Sequence, residues 1–133
     1  MLTQKSELGA WGEKLACEYL VEKGYRVLEI NAKEKWGELD IVAQARDKPL
    51  VFVEVKTVTR QQKTSDKPQE TRYGEVSAES QMTSAKIRKF KTAASLYAGS
   101  HQELINDKKG WRLDVIAITK NGDNCDIRHY ENI

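Results

Sequence analysis

Cysteine is scarce in this 133-residue chain, and Cys17 and Cys125 stand far apart with no zinc-type spacing around either. A disulfide scaffold and a zinc module are thereby excluded. Both thiols are expected to stay reduced and non-catalytic, because neither has a basic partner close in sequence. Long apolar runs are also missing. No stretch approaches the roughly 20 residues of a membrane span, and the N-terminus lacks a continuous apolar signal-peptide core. A cytoplasmic protein without membrane contact is the expectation. No segment repeats, and no glycine-rich phosphate loop occurs. The formal net charge is only +2, too small to argue for nucleic acid by itself. The length suits one domain over residues 1–133, enough for a core and too short for two.

The distribution of charge says more than its total. Residues 56–91 carry nine basic and four acidic side chains, while the flanking thirds are nearly neutral. A localised positive field is what a polyanionic partner requires, although a solvated polar loop would account for it equally well.

Leu8, Trp11, Gly12, Leu15, Ala16 and Tyr19 recur at helical spacing, which predicts a helix from about Ser6 to Lys23 closed by Gly24. Tyr25 to Ile30, Gly37 to Ala43 and Leu50 to Lys56 read as three strands of a meander. Residues from about 57 to 79 read as a flexible polar loop, whose length and position after Lys56 suit a flap ordered by substrate. Ser80 or Thr83 caps a second helix to about Ala98, with Gly99 as its stop and Ile87, Phe90, Ala94 and Tyr97 as its buried stripe. Trp111 to Thr119 and Asp126 to Tyr130 are the last strands, joined by a turn at Asn121-Gly122. Asp114 is expected to pair with Arg112 or a neighbouring strand, and His129 to be structural or exposed. The order predicts an α/β sandwich around a mixed sheet.

Charge interrupts two of these apolar strands. Glu54 and Lys56 share a face with Leu50 and Phe52, while Val51, Val53 and Val55 share the other. A buried, unpaired carboxylate protonates or finds a partner. If Arg46-Asp47-Lys48 is a three-residue hairpin loop, Ala45 pairs with Pro49 and Asp40 falls opposite Glu54. Two adjacent carboxylates repel, and a hard divalent cation such as Mg²⁺ or Mn²⁺ between them removes the conflict. Glu38 falls opposite Lys56 in the same register, so an ordinary cross-strand ion pair explains part of the pattern. Glu13 lies on the flank of the first helix beside Gly9, Ala16 and Leu20, and by spacing alone reads as a solvated helix residue.

Gly12-Glu13 with Ala16 and Tyr19-Leu20, Gly24-Tyr25, Asn31, Gly37 to Ala43, Leu50 to Lys56, Lys86, Arg112 to Ile116, and Ile127 to His129 through Asn132 together resemble the YraN-like family of predicted bacterial endonucleases. The resemblance spans nearly the whole chain. That family is similar to Holliday-junction resolvases and, by resemblance, to the PD-(D/E)xK nuclease superfamily. A restriction-endonuclease-like α-β-β-β-α-β-β sandwich with helices flanking a mixed sheet is implied. Leu39 stands where the superfamily name has proline, and Val58 where relatives often carry arginine.

The same resemblance makes Asp40 and Glu54 the ligands of Mg²⁺ or Mn²⁺, aided by the Val55 carbonyl, and Lys56 the superfamily lysine. Glu13 becomes the helix acid, binding the metal through water or holding a second ion. The implied activity is metal-dependent endonucleolytic hydrolysis of DNA, including structured or branched DNA. Lys86, Arg88 and Lys89 are the chosen phosphate contacts. A homodimer follows from the resolvase likeness, because a four-way junction presents two related cleavage points. Two readings from other classes stand beside it: a catalytically silent nucleic-acid-binding or assembly protein with the nuclease fold, and an interaction domain in which Lys56 merely pairs with Glu38 or Glu54.

Overall fold

The computed structural model describes residues 6–60 and 77–133. Helix α1 spans Glu7–Glu22, and the Ser6 hydroxyl caps it by accepting from the Gly9 N–H at 3.0 Å. Gly24, at φ +92°, then turns the chain out of the helix, a conformation that favours glycine. Strands β1 (Arg26–Glu34), β2 (Gly37–Gln44) and β3 (Leu50–Thr59) follow, then helix α2 (Ser84–Ser100), β4 (Trp111–Asn121) and β5 (Asn124–Tyr130). The five strands lie in chain order across one sheet, antiparallel except for the parallel pair β3 and β4. A parallel pair needs a long crossover, and α2 supplies it.

Both faces of the sheet are covered, so the strands supply two cores by alternation. Ala16 and Leu20 of α1 pack with Ile41, Ala43, Val51, Val53, Ile116 and Ile118 on one face. Phe90, Ala93, Ala94 and Tyr97 of α2 pack with Val42, Leu50, Phe52 and Leu113 on the other. The result is the expected α/β sandwich, consistent with a restriction-endonuclease-like fold. No helix among the described residues is long and apolar enough to cross a membrane. Both cysteines are free thiols, and burial, reinforced by Glu18, pushes the Cys17 pKa up, away from reactivity.

Several boundaries differ from the sequence reading. β1 runs four residues past Ile30, because the polar stretch to Glu34 pairs through its backbone with Gly37, Glu38 and Leu39. The loop expected from about 57 to 79 begins later: Thr57, Val58 and Thr59 pair with Ile118, Thr119 and Lys120. At its far end Ala78 is fully buried, and Glu79–Gln81 form a 3₁₀ turn. The rest of that expected loop, 61–76, lies outside the described residues. Thr83, not Ser80, caps α2, accepting from the Lys86 N–H at 3.2 Å. Gly99 does not stop this helix, which passes through it to Ser100 with His101 as the C-cap. Glycine ends helices by adopting positive φ, and Gly99 does not.

α1 approaches the sheet closely at Gly12, where an added Cβ would lie 2.0 Å from Thr57 Oγ1 and 3.0 Å from its Cβ. The helix can sit there only because that side chain is a hydrogen. Gly12→Ala is expected to cost about 1–3 kcal/mol in urea unfolding through overpacking. Thr57→Ala in the same background should recover part of the loss, whereas strictly additive effects would show that the two positions do not collide.

Candidate active site

The β2–β3 hairpin forms as its sequence suggests. The Ala45 N–H donates to the Pro49 carbonyl at 3.0 Å, and Lys48 takes the positive φ (+85°) that ends such a three-residue loop. The register runs Gln44↔Leu50, Ala43↔Val51, Val42↔Phe52 and Ile41↔Val53, and there it stops. Asp40 and Glu54 would be the next pair, and Leu39 with Val55 the one after. In a continued ladder the Val55 N–H would go to the Leu39 carbonyl, since hydrogen-bonded pairs alternate. It goes instead to Asp40 Oδ2 at 2.8 Å. A side-chain carboxylate thus replaces a main-chain acceptor, and the two strands open at this point. The irregularity has other marks: Asn31, opposite Asp40 in β1, sits at φ +54°, and Leu39 joins the α2 core although Ile41 and Ala43 face α1. Breaks of this kind in a ladder are commonly found where a side chain is re-aimed next to a site.

Asp40 is 9 % exposed, and Val55 ties it to the main chain immediately after Glu54. The Val55 carbonyl points to the same side of β3 as its N–H, towards the opening, because a strand residue directs both groups at one neighbour. Glu54 and Lys56 share the α2 face and form an ion pair of 2.9 Å, each side chain 18 % exposed. The sequence reading placed Glu38 or Glu54 beside Lys56, and a pair with Glu54 forms. Glu13 is 7 % exposed, which overturns its reading as a solvated residue. It is buried because Gly12 draws its turn of α1 onto β3 at Thr57. Among the described residues no group of three or more His, Cys, Asp or Glu side chains is arranged to hold a metal ion. Glu13, Asp40 and Glu54 therefore stand along the same stretch of β3 without closing into one cluster.

α2 crosses the sheet face that carries Glu54 and Lys56. A Cβ on Gly37 of β2 would lie 3.9 Å from the Lys89 carbonyl oxygen, while Ile87 lines an apolar cleft with Met82, Val115, Tyr130 and Ile133. Since β3 lies between β2 and β4, the first half of α2 spans both sides of the candidate site. Lys86, Arg88, Lys89 and Lys91 on that half are all exposed.

Asp114 and His129 belong to a separate network. Asp114 is fully buried and accepts from Arg112 Nε at 3.0 Å and Nη2 at 3.2 Å, and from the Asn132 N–H at 3.0 Å; its Oδ2 lies 2.7 Å from His129 Nε2. His129 Nδ1 lies 3.1 Å from the Tyr19 hydroxyl, and Arg112 donates to the Tyr25 hydroxyl at 2.7 Å. These bonds tie β4 and β5 to α1 and to the residue preceding β1. Burial by itself would raise the Asp114 pKa, but the bonds from His129, Arg112 and Asn132 outweigh it and hold the carboxyl below its ordinary value. Its stabilisation is thus full above the unfolded carboxyl pKa, near pH ~4, and is lost as pH falls through the lower folded value. Asp114→Asn should cost about 3 kcal/mol at pH 7 by leaving Arg112 without its buried counter-charge, with only the more exposed Glu131 at 3.4 Å remaining. Urea titrations of both proteins should converge as pH drops below about 4, and a gap independent of pH would refute the charged role.

The family described as "Uncharacterised protein family UPF0102" matches residues 12–118. A UPF0102 protein of Syntrophomonas wolfei is 39% identical over 126 residues, covering 95% of this chain and 96% of the relative. One from Syntrophotalea carbinolica is 35% identical, covering 98% and 93%, and one from Thermotoga neapolitana is 35% identical, covering 91% and 92%. The match takes in Glu13, Asp40, Glu54, Lys56 and Arg112 to Asp114, and the chain belongs to the UPF0102 family.

Proposed function

We propose that this chain is a divalent-metal-dependent endonuclease that hydrolyses phosphodiester bonds in DNA, with structured or branched DNA the first substrates to test. The observation that carries the reading is the open end of the β2–β3 ladder, where Asp40 takes the Val55 N–H and the Glu54–Lys56 ion pair stands on the residues of β3 that flank it. Two carboxylates and an ammonium at such a place are costly for folding and characteristic of chemistry.

The donor set fits Mg²⁺ or Mn²⁺. Two carboxylates and the Val55 carbonyl are hard oxygen ligands, and Mg²⁺ keeps several waters while taking one or two carboxylates, so a third acid in contact is not required. A cation held there supplies Lewis acidity, lowering the pKa of water and offsetting charge on the phosphoryl oxygens. Asp40 is held in place by the Val55 N–H, which fixes the carboxylate without a rotamer search. Glu54 holds Lys56 at 2.9 Å, and the ammonium would turn from it to a non-bridging phosphoryl oxygen. Glu13, buried on the helix turn that touches Thr57, would order water on the α1 side. Water adds its oxygen to phosphorus, one bridging P–O bond breaks, and the proton ends on the departing oxygen. Lys86, Arg88 and Lys89 would take backbone phosphates, which position DNA without reading its sequence. The implied homodimer belongs to the same reading.

The test is cleavage of labelled four-way junction, flap, single-stranded and duplex DNA with Mn²⁺ or Mg²⁺. Asp40→Asn is the variant of choice, since alanine would leave the buried Val55 N–H without its acceptor. Metal-dependent cutting should fall about 100-fold or more in Asp40→Asn, Glu54→Gln and Lys56→Ala. Folded wild-type protein that binds these DNAs and cuts none would move the assignment to a silent nucleic-acid-binding protein.

A further inference from the structure

Trp36 stands where folding gains little from a tryptophan. It forms with Lys35 the two-residue turn between β1 and β2, flanked by the pair Glu34↔Gly37, and it is 61 % exposed. Such turns favour Asn, Asp and Gly, and a large aromatic left in water forgoes the burial that usually justifies it. Its surroundings fit a nucleic-acid strand. Lys35 Nζ lies 5.3 Å from the Trp36 ring centroid, and Lys33 is exposed on the same hairpin. Gly37, the next residue, abuts α2: a Cβ there would be 3.4 Å from Ala93 Cβ and 3.9 Å from the Lys89 carbonyl oxygen. Glu34 and Glu38 balance the two hairpin lysines, so the surplus of positive charge comes from Lys86, Arg88, Lys89 and Lys91 of α2. Trp36 and Asp40 are four residue steps apart along β2, about 13 Å at ~3.3 Å per step, or roughly four nucleotide rises of ~3.4 Å. An aromatic plane beside a basic helix face is the arrangement by which unpaired strands are held: bases stack while cations track the phosphates.

We infer that the Trp36 hairpin tip is a stacking contact for an unpaired DNA base a few nucleotides from the scissile phosphate, with the basic face of α2 holding the strand between them. The inference rests on the nuclease reading and names its substrate class: DNA with unpaired bases next to the cut. Fully paired duplex offers the ring no open base face except at its ends. Lys35 moves off the ring to a phosphate as the base takes its place.

Binding is measured without cleavage, in EDTA, by fluorescence anisotropy of labelled single-stranded, forked and blunt hairpin-capped duplex DNA of equal length. Trp36→Ala is expected to weaken single-stranded and forked DNA about tenfold and to leave the capped duplex unchanged, while Trp36→Tyr retains most of the affinity. Lys89→Ala should weaken all three alike and reduce the salt dependence. Melting temperatures matching wild type exclude misfolding of the hairpin as the cause, and Trp36→Tyr serves as the folded control if alanine lowers them. Equal affinity of Trp36→Ala and wild type for unpaired DNA, or a loss shared by the capped duplex, would overturn the inference. So would a change confined to self-association in sedimentation, which would make the tip a contact between copies. Because metal is absent, failure of the nuclease reading shows only in the cleavage assay and failure of the stacking contact only here.

Discussion

One hydrogen bond organises the candidate site: the Val55 N–H to Asp40 Oδ2. In a regular ladder that donor would take the Leu39 carbonyl, and β2 would lie flush against β3 along its full length. With the carboxylate substituted, the strands separate after Ile41↔Val53, and the chain beyond is released from pairing on that edge. Everything the site needs follows from the separation. The Val55 carbonyl faces the gap, Glu54 and Lys56 stand on the adjoining face with water access, and the carboxylate that caused the opening is held rigidly inside it. Loss of a ladder bond is offset by the charge-assisted bond that replaces it, which is intrinsically stronger than a neutral one.

A second polar network holds the frame that this opening weakens. Asp114 gathers Arg112, His129 and the Asn132 N–H, and through Tyr19 and Tyr25 it reaches α1 and the start of β1. A fully buried carboxylate is tolerated only because its oxygens are met by charged and polar donors. The network sits on the α1 face, away from Glu54 and Lys56 on the α2 face. The buried Asp114 network and the Glu54–Lys56 pair thus lie on opposite faces of the sheet.

α2 has two roles on its two sides. Phe90, Ala93, Ala94 and Tyr97 close the core, while its first turns expose four cations across the face that bears the candidate site. Packing therefore fixes where these cations lie, and Gly37 lets the β1–β2 hairpin come close to the helix at Ala93 and Lys89.

The hairpin register was legible in the sequence because three local facts determine it: the alternation of β2, the alternation of β3, and a three-residue loop between Ala45 and Pro49. The same alternation separated Glu54 and Lys56 from the valines and predicted the two-sided core. β1 beyond Ile30 was not legible, since Asn31 to Glu34 has no apolar period and is a strand only through its backbone bonds to β2. Nor was the helix past Gly99, where a glycine takes ordinary helical angles. The burial of Glu13 depends on Gly12 meeting Thr57, a contact between residues 45 positions apart, and the spacing of α1 alone gave the opposite answer. Trp36 looks like any turn residue until its exposure and the approach of the adjacent Gly37 to α2 are seen. By itself the sequence determined the apolar strands, the two faces of β3 and the presence of charge within them, because these follow from short-range periodicity, whereas the switch of Leu39 to the α2 core did not. Only the tertiary structure decided that Asp40 takes the Val55 N–H, that Lys56 closes on Glu54 and that Asp114 is enclosed by donors, because a buried charge chooses its partner from all the chain that folding brings within reach.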